Sequence, residues 1–241
     1  MIKEALQYLV GLQQNKTYEL NGDTYSDNRL EFIPKKIFRR SCMEFGSLDA
    51  IVKMIRAELK DYADAVGLPL FIQVDSFNSI EVVTRCDDQE QRMNPYRARC
   101  RDAEFKEGWR DQQAAIIELR SRFIPTGDSE YLLNLISRIN NEQGVQSLDN
   151  GVSQTVTAKS GVSLMTTETV KPRLTLCPFR TFREVIQPSS EFILRLDDKG
   201  RIGLFEADGG IWKMEAKTNI ANYLEERLKE EIDAHRVIVM I

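Results

Sequence analysis

Apolar residues recur at helical spacing over Leu48, Ile51, Val52, Ile55, Leu59, Tyr62 and Val66. A stripe of that period predicts an amphipathic helix with one face against a core. Ser47 stands at its N-cap and Asp49 in its first turn, where the helix dipole favours an anion. Gly67 and Pro69 end it. The period then drops to two. Leu70-Phe71-Ile72-Gln73-Val74 and Ser79-Ile80-Glu81-Val82-Val83 read as strands around the polar connection Asp75-Ser76-Phe77-Asn78. A further strand is expected over Tyr96 to Phe105, where Tyr96, Ala98 and Cys100 alternate with arginines.

Ahead of these, Ile2, Leu6, Leu9 and Val10 fall on one side of a helix that Gly11 weakens. Asn21-Gly22 signals a turn between Thr17–Leu20 and Leu30–Ile33, and Pro34 stops the strand there. Later, Asp128 is expected to cap a helix with Tyr131, Leu132, Leu135, Ile136 and Ile139 on one face, with Gly144 after its end. From there to about residue 215 the chain is rich in β-branched residues between Gly and Pro breaks. Phe192–Leu196 and Arg201–Phe205 form a hairpin about Asp197–Gly200. Thr218 is the expected cap of a last helix with Ile220, Tyr223, Leu224, Leu228 and Ile232 buried, and Val237–Ile241 a final strand.

These elements predict an α+β fold with a largely antiparallel sheet and three to four amphipathic helices. The expected organisation is an N-terminal α/β region over 1–110 and a C-terminal β-meander plus helix over 111–241. Connections such as 67–70 are too short for a flexible linker, so the two regions can equally form one continuous domain.

Composition narrows the chemistry. The chain has 241 residues, 42% of them hydrophobic and 29% charged, with a formal net charge of -4. That suits a globular protein with its own core and gives no global attraction to nucleic acid or to an anionic membrane. No run approaches the about 18 continuous apolar residues of a membrane span, and MIKEALQYLVGLQQN is amphipathic rather than a secretion signal. A cytoplasmic location and no membrane partner are the expectation. Cys42, Cys86, Cys100 and Cys177 form no Cys-x-x-Cys pair and are expected to be reduced and mostly buried.

There is a single histidine, His235. Imidazole serves most acid–base catalysis and most zinc sites, so its scarcity disfavours a histidine-dependent enzyme and a zinc site with two or more His ligands. The glycines form neither a G-x-x-x-x-G-K-[ST] phosphate loop nor a G-x-G-x-x-G turn. The paired carboxylates Asp87-Asp88, Asp197-Asp198, Glu225-Glu226 and Glu230-Glu231 read as solvated surface. No catalytic residue, metal or cofactor is expected.

Two basic clusters remain. In a strand, Arg97, Arg99 and Arg101 share one face, with Tyr96, Phe105 and Trp109 nearby. Rows of guanidiniums with aromatics suit phosphates and stacked bases, although Asp102, Glu104 and Glu107 lie in the same stretch. Lys35, Lys36, Arg39 and Arg40 flank Ile37-Phe38 and extend such a surface if both clusters face one way. The charge-poor stretch Asn150 to Thr169 suits an internal strand or an edge that pairs with a second chain, with Lys159 and Glu168 as edge blockers.

Gly108-Trp109-Arg110-Asp111 with Gln112-Gln113-Ala114, then Val170–Phe179, then Phe192–Ile202 and the closing helix resemble the YfdQ-like family, a phage and prophage family of unknown function. The likeness spans roughly residues 105–235. In the family pattern a histidine stands where this chain has Gln112. The resemblance implies a phage-encoded protein acting in the cytoplasm of a bacterial host. It brings no catalytic residue and points to Gly108, Trp109, Arg110 and Asp111 for testing. Their plainest role is structural, with Trp109 in the core and Arg110 and Asp111 paired at the sheet margin. The functional expectation is a non-enzymatic accessory protein working as a homo-oligomer, binding a host protein or assembling. One alternative is a single-stranded nucleic-acid binder using Arg97, Arg99 and Arg101. Another is a binder of small anionic metabolites or nucleotides through Arg110.

Overall fold

A computed structural model describes residues 2–13, 16–26, 32–33, 41–61, 69–86, 90–101, 105–138, 148–149, 154–160, 164–197 and 199–241. The chain divides into two compact units, Met1–Arg40 and Ser41–Ile241. The expected division near residue 110 falls inside the second.

The first unit holds α1 (Ile2–Gln13) and an antiparallel sheet of β1 (Thr17–Leu20), β2 (Asp23–Ser26) and β3 (Phe32–Ile33). Asn21 and Gly22 have φ of 53° and 85°. Two successive left-handed residues make the tight turn whose twist suits a two-residue hairpin. The turn therefore folds β1 onto 23–26, and the expected partner segment supplies the third strand instead. Ile2 and Leu6 of the expected apolar stripe are exposed.

The second unit carries, in order, β4 (Met43–Phe45), α2 (Leu48–Asp61), β5 (Leu70–Ser76), β6 (Ser79–Val83), β7 (Tyr96–Arg99), β8 (Gly108–Arg110), α3 (Gln112–Arg122), β9 (Phe123–Ile124), α4 (Gly127–Arg138) and β10 (Leu148–Asp149). It continues with β11 (Gln154–Ser160), β12 (Leu164–Val170), β13 (Arg173–Pro178), β14 (Ser190–Leu196), β15 (Ile202–Glu206), α5 (Trp212–Arg227), α6 (Lys229–Asp233) and β16 (Val237–Met240). The fold is α+β with mostly antiparallel sheets.

Two five-stranded sheets dominate. The first runs β16-β5-β6-β7-β4, antiparallel at its centre and parallel at both margins, where β16 joins β5 and β4 joins β7. Its inward residues Leu70, Ile72, Val74, Ile80, Val82, Tyr96, Ala98 and Val237 meet Leu48, Ile51, Val52 and Ile55 of α2 and Ile220, Ala221 and Leu224 of α5. Each Leu, Ile or Val among them taken out of water contributes about 1.5–3 kcal/mol. The second sheet runs β8-β15-β14-β13-β9, all antiparallel. Leu174, Leu176, Phe192, Leu194, Leu196, Ile202 and Leu204 pack under α3 and α4 in a separate core. Among the described residues, each sheet has helices on one face only.

Between the cores, the segment 179–189 is organised by Arg180, which is fully buried. Its guanidinium donates to Glu206 Oε1 (2.7 Å), Ser190 Oγ (2.6 Å) and the Pro188 carbonyl (3.3 Å), and lies 3.9 Å from the Trp212 ring centroid. Trp212 stands edge-on to Phe77 of the β5–β6 turn. The Thr181 hydroxyl donates to the Phe77 carbonyl at 2.5 Å. The hairpin β11–β12 is fastened by Gln154, whose amide both donates to and accepts from the backbone of Leu196.

Several expected elements shift. The strand from Tyr96 ends at Arg99, and Asp102 to Glu104 lie outside the described residues. Thr126, not Asp128, caps α4: its hydroxyl accepts from Ser129 N while Ser129 Oγ accepts from Thr126 N. Asp128 instead accepts from Thr175 N and Lys171 Nζ, and the Thr175 amide above all holds its carboxyl below the usual range. The expected last helix divides into α5, which starts at Trp212, and α6, so Thr218 lies inside α5, donating back to the Met214 carbonyl. Tyr62 to Leu68, Ile139 to Gln146, Gly151 to Ser153 and Gly161 to Ser163 lie outside the described residues.

Candidate functional site

Alternation along β7 buries Tyr96 and Ala98 against α2 and puts Arg97 and Arg99 on the opposite face, as the period-two reading expects. Carboxylates on the flanking strands meet this row. Arg97 pairs with Glu81, its register partner on β6, and Glu81 also accepts from Asn94. Arg101, in the turn after β7, pairs with Glu44 of β4 at 2.5 Å. That hydrogen bond first, and the charges of Arg101, Arg99 and Arg97 after it, hold the Glu44 carboxyl below its ordinary range. Arg99 has no carboxylate partner among the described residues.

The parallel strands β4 and β7 end side by side, and a cleft of about 410 Å³ opens at their carboxyl ends. Glu44, Phe45 and Gly46 form one wall, Arg99, Cys100 and Arg101 a second, and Phe179, Thr181 and Arg183 the third. Arg183 stacks 4.0 Å from the Phe179 ring centroid and has no carboxylate partner among the described residues. Cys100 is half-buried, its thiol 3.6 Å from the Thr181 carbonyl. The cleft thus gathers three guanidiniums against one carboxylate. Its size falls in the range of about 300–1,000 Å³ for small-molecule sites. Planar guanidiniums match phosphate and carboxylate oxygens two at a time, and stacking on an aromatic ring pre-sets one of them.

Arg183 and Phe179 sit some 80 residues from Arg99 in sequence, and no local signal links them. They reach the cleft because Arg180 and Thr181 pin the loop between them, Arg180 from within the core.

Trp109, Arg110 and Asp111 do not converge on the cleft. Asp111 is the N-cap of α3, its carboxylate accepting from Ala114 N at 2.7 Å. Arg110 pairs with Glu118 of the same helix and donates to the Gly108 and Lys106 carbonyls. The two are not paired with each other, and Trp109 is not in the core: it is 44% exposed on the face of the second sheet opposite α3 and α4. Gln112 donates to the Ile136 carbonyl and ties α3 to the end of α4.

Lys35, Lys36, Arg39 and Arg40 lie outside the described residues, as do Asp87, Asp88 and Asp198. Asp197 is a turn residue accepting from the Lys199 and Arg201 amides. Glu231 departs from the solvated reading: it is buried and accepts from Arg56 Nε at 3.1 Å. Cys42 and Cys86 are exposed and only Cys177 is buried, so the thiols are less enclosed than expected. His235 is exposed with φ of 56°, closing α6 with a left-handed residue. Among the described residues no group of His, Cys, Asp and Glu is placed to hold a metal ion, and no helix is long and apolar enough to cross a membrane.

Comparison with known protein families, with characterised proteins and with solved structures finds no match to this chain.

Proposed function

We propose that this chain is a non-enzymatic binding protein that holds a small phosphate-bearing ligand in the cleft between β4, β7 and the 179–183 loop. The supporting observation is the convergence of Arg99, Arg101 and Arg183 on one cavity where only Glu44 answers them. This is the anion-binding alternative moved from Arg110, which Glu118 occupies, to a cleft where Arg99 and Arg183 have no carboxylate partner among the described residues. Adenosine triphosphate and pyrophosphate at low salt are the probes. Each is expected to raise the melting temperature of the wild type. Charge-assisted hydrogen bonds contribute about 1.5–3 kcal/mol each, so R99A with R183A should weaken binding at least about tenfold. No shift with either probe, or equal shifts in the variant, refutes the reading.

A homo-oligomer joined through strand edges is the second reading, favoured by β16. Val237–Met240 carries no charge and is hydrogen-bonded to β5 alone among the described strands, with Ile238 and Met240 42% and 38% exposed. An apolar unpaired edge is a template for another strand. Light scattering at micromolar concentration tests it: Ile238→Lys should convert an oligomer to a monomer, and a wild type that is already monomeric refutes it. Membership of the YfdQ-like phage family, and action in a bacterial cytoplasm, belong to this proposal and rest on the motifs of residues 105–235.

A further inference from the structure

The guanidiniums of the β4–β7 cleft stand on two different walls. Arg99 and Arg101 belong to β7 and its turn, and Arg183 to the loop. The loop wall is fixed from behind by Gln187, which is buried. Its amide oxygen accepts from Arg180 N (3.1 Å) and Thr181 N (3.2 Å), and its amide nitrogen donates to the Phe182 (2.8 Å) and Val185 (3.0 Å) carbonyls. Four bonds to the backbone of one loop use the whole capacity of a side-chain amide. Phe182 and Val185 sit in the first core, and Arg183 between them is exposed. The neighbouring carboxylate, Glu184, accepts from Leu48 N at 2.9 Å at the start of α2. Arg183 instead stacks on Phe179.

Among the described residues, three guanidiniums and one carboxylate line the cleft, an excess of two positive charges. The hydrogen bond from Arg101 above all holds the Glu44 carboxyl below its ordinary range, so Glu44 stays ionised near neutral pH and the excess is kept. The two unanswered charges, Arg99 and Arg183, come from different walls. A guanidinium takes oxygens in pairs. A phosphodiester has two unbridged oxygens and one negative charge, and a single guanidinium satisfies it. A terminal phosphoryl group has three acceptor oxygens and close to two charges above its second pKa of about 6. It leaves both an oxygen and a charge for a second guanidinium to meet.

We propose that the cleft selects ligands that end in a terminal phosphoryl group and rejects phosphodiesters, with Arg99 and Arg183 gripping one phosphoryl group from two walls. The inference rests on the reading of the cleft as a phosphate site and adds which class of phosphate it takes. Arg99 and Arg183 are then the specificity-determining residues. A guanidinium held in place by a fixed loop loses little freedom on binding, so the second grip adds affinity rather than merely ordering the site.

The test is isothermal titration calorimetry on the full chain at low salt and about pH 8, where a phosphate monoester carries close to two charges. Adenosine monophosphate and its cyclic diester share base and ribose and differ at the phosphate. The monophosphate should bind at least about tenfold tighter, the worth of one charge-assisted hydrogen bond. Inorganic phosphate should displace it. R99A and R183A, each alone, should erase the preference, because either loss leaves one guanidinium to grip. Both side chains are exposed, so both variants should melt with the wild type. Equal affinity for the two adenosine ligands, with both lost in R99A with R183A, overturns the inference and leaves the phosphate cleft standing. A preference that survives R99A or R183A, or a monophosphate that inorganic phosphate does not displace, also overturns it. If pyrophosphate, adenosine triphosphate and both adenosine ligands all fail to bind, the reading of the cleft falls as well.

Discussion

The two sheets share a plan, five strands with helices on one face, and differ in what their uncovered faces do with arginine. On the first, the guanidiniums of β7 and its turn meet carboxylates from strands on either side, Glu81 for Arg97 and Glu44 for Arg101. What remains is displaced to the strand ends, where Arg99 and Arg183 line a cleft. On the second, Arg173 and Arg201 are answered by Glu191 and Asp197, beside the exposed Trp109 ring. Ion pairs thus tie neighbouring segments together on both sheets, and on the first Arg99 and Arg183 are left without a carboxylate partner among the described residues. Arginine content alone therefore does not mark a binding face; what decides is whether the neighbouring strands bring an answering carboxylate.

The largest expected effect lies where the two halves meet. Arg180→Ala should lower the unfolding free energy by about 3–5 kcal/mol in urea denaturation followed by circular dichroism, because it opens a hole and strips the charge partner from a half-buried carboxylate. Arg180→Met, which keeps the volume, should cost less. Equal stability of wild type and Arg180→Ala would mean that the halves cohere without this residue.

Gly203→Ala comes next. The added methyl must push Phe205 and Trp109 aside, at a cost of about 1–3 kcal/mol. Near-ultraviolet dichroism should report the displaced indole, and the first sheet's cleft should bind as before.

A smaller effect appears only at high pH. The Tyr223 hydroxyl, half-buried and donating to Asp49 Oδ1 at 2.6 Å, has its pKa pushed up to about 12, by burial first and by Asp49 second. A raised folded-state pKa gives stability that is fully present below the ordinary tyrosine value near 10 and is lost as pH climbs toward 12. Melting temperatures measured across that window should fall more steeply for wild type than for Tyr223→Phe. Parallel curves would count against the hydrogen bond.

The smallest expected effect sharpens the contrast most. A double-mutant cycle on Glu81 and Arg97 should give a coupling of about 0.2–1 kcal/mol, the worth of a partly exposed ion pair. A coupling of zero would return Arg97 to the pool of arginines free to bind a ligand.

Sequence alone carried the core elements well and the sites poorly, for one reason. Period-two and helical stripes report burial, so α2, the β5–β6 hairpin and the β14–β15 hairpin are legible from their own residues. Helix α3 is not, because only Ala115 and Leu119 are buried while Ile117 is 66% exposed, which blurs any stripe. The shared face of Arg97 and Arg99 was legible from alternation. Their carboxylates were not, since Glu81 and Glu44 arrive by strand pairing. The placement of Trp109 depends on a glycine almost a hundred residues away, a relation no local pattern contains.

The pairing of β16 with β5 joins residues 237–240 to residues 70–73. The span from β8 to β15 is thus an insert within a module whose last helix and strand arrive only afterwards. Loop closure over so long a separation is slow. The inserted half should acquire its protection from hydrogen exchange first, and the margin of β5 should stay open until the chain returns. A fragment cut near residue 110 would lack α5 and β16, and with them one wall of its own core. The first sheet should not form in such a fragment, however well its remaining strands are patterned.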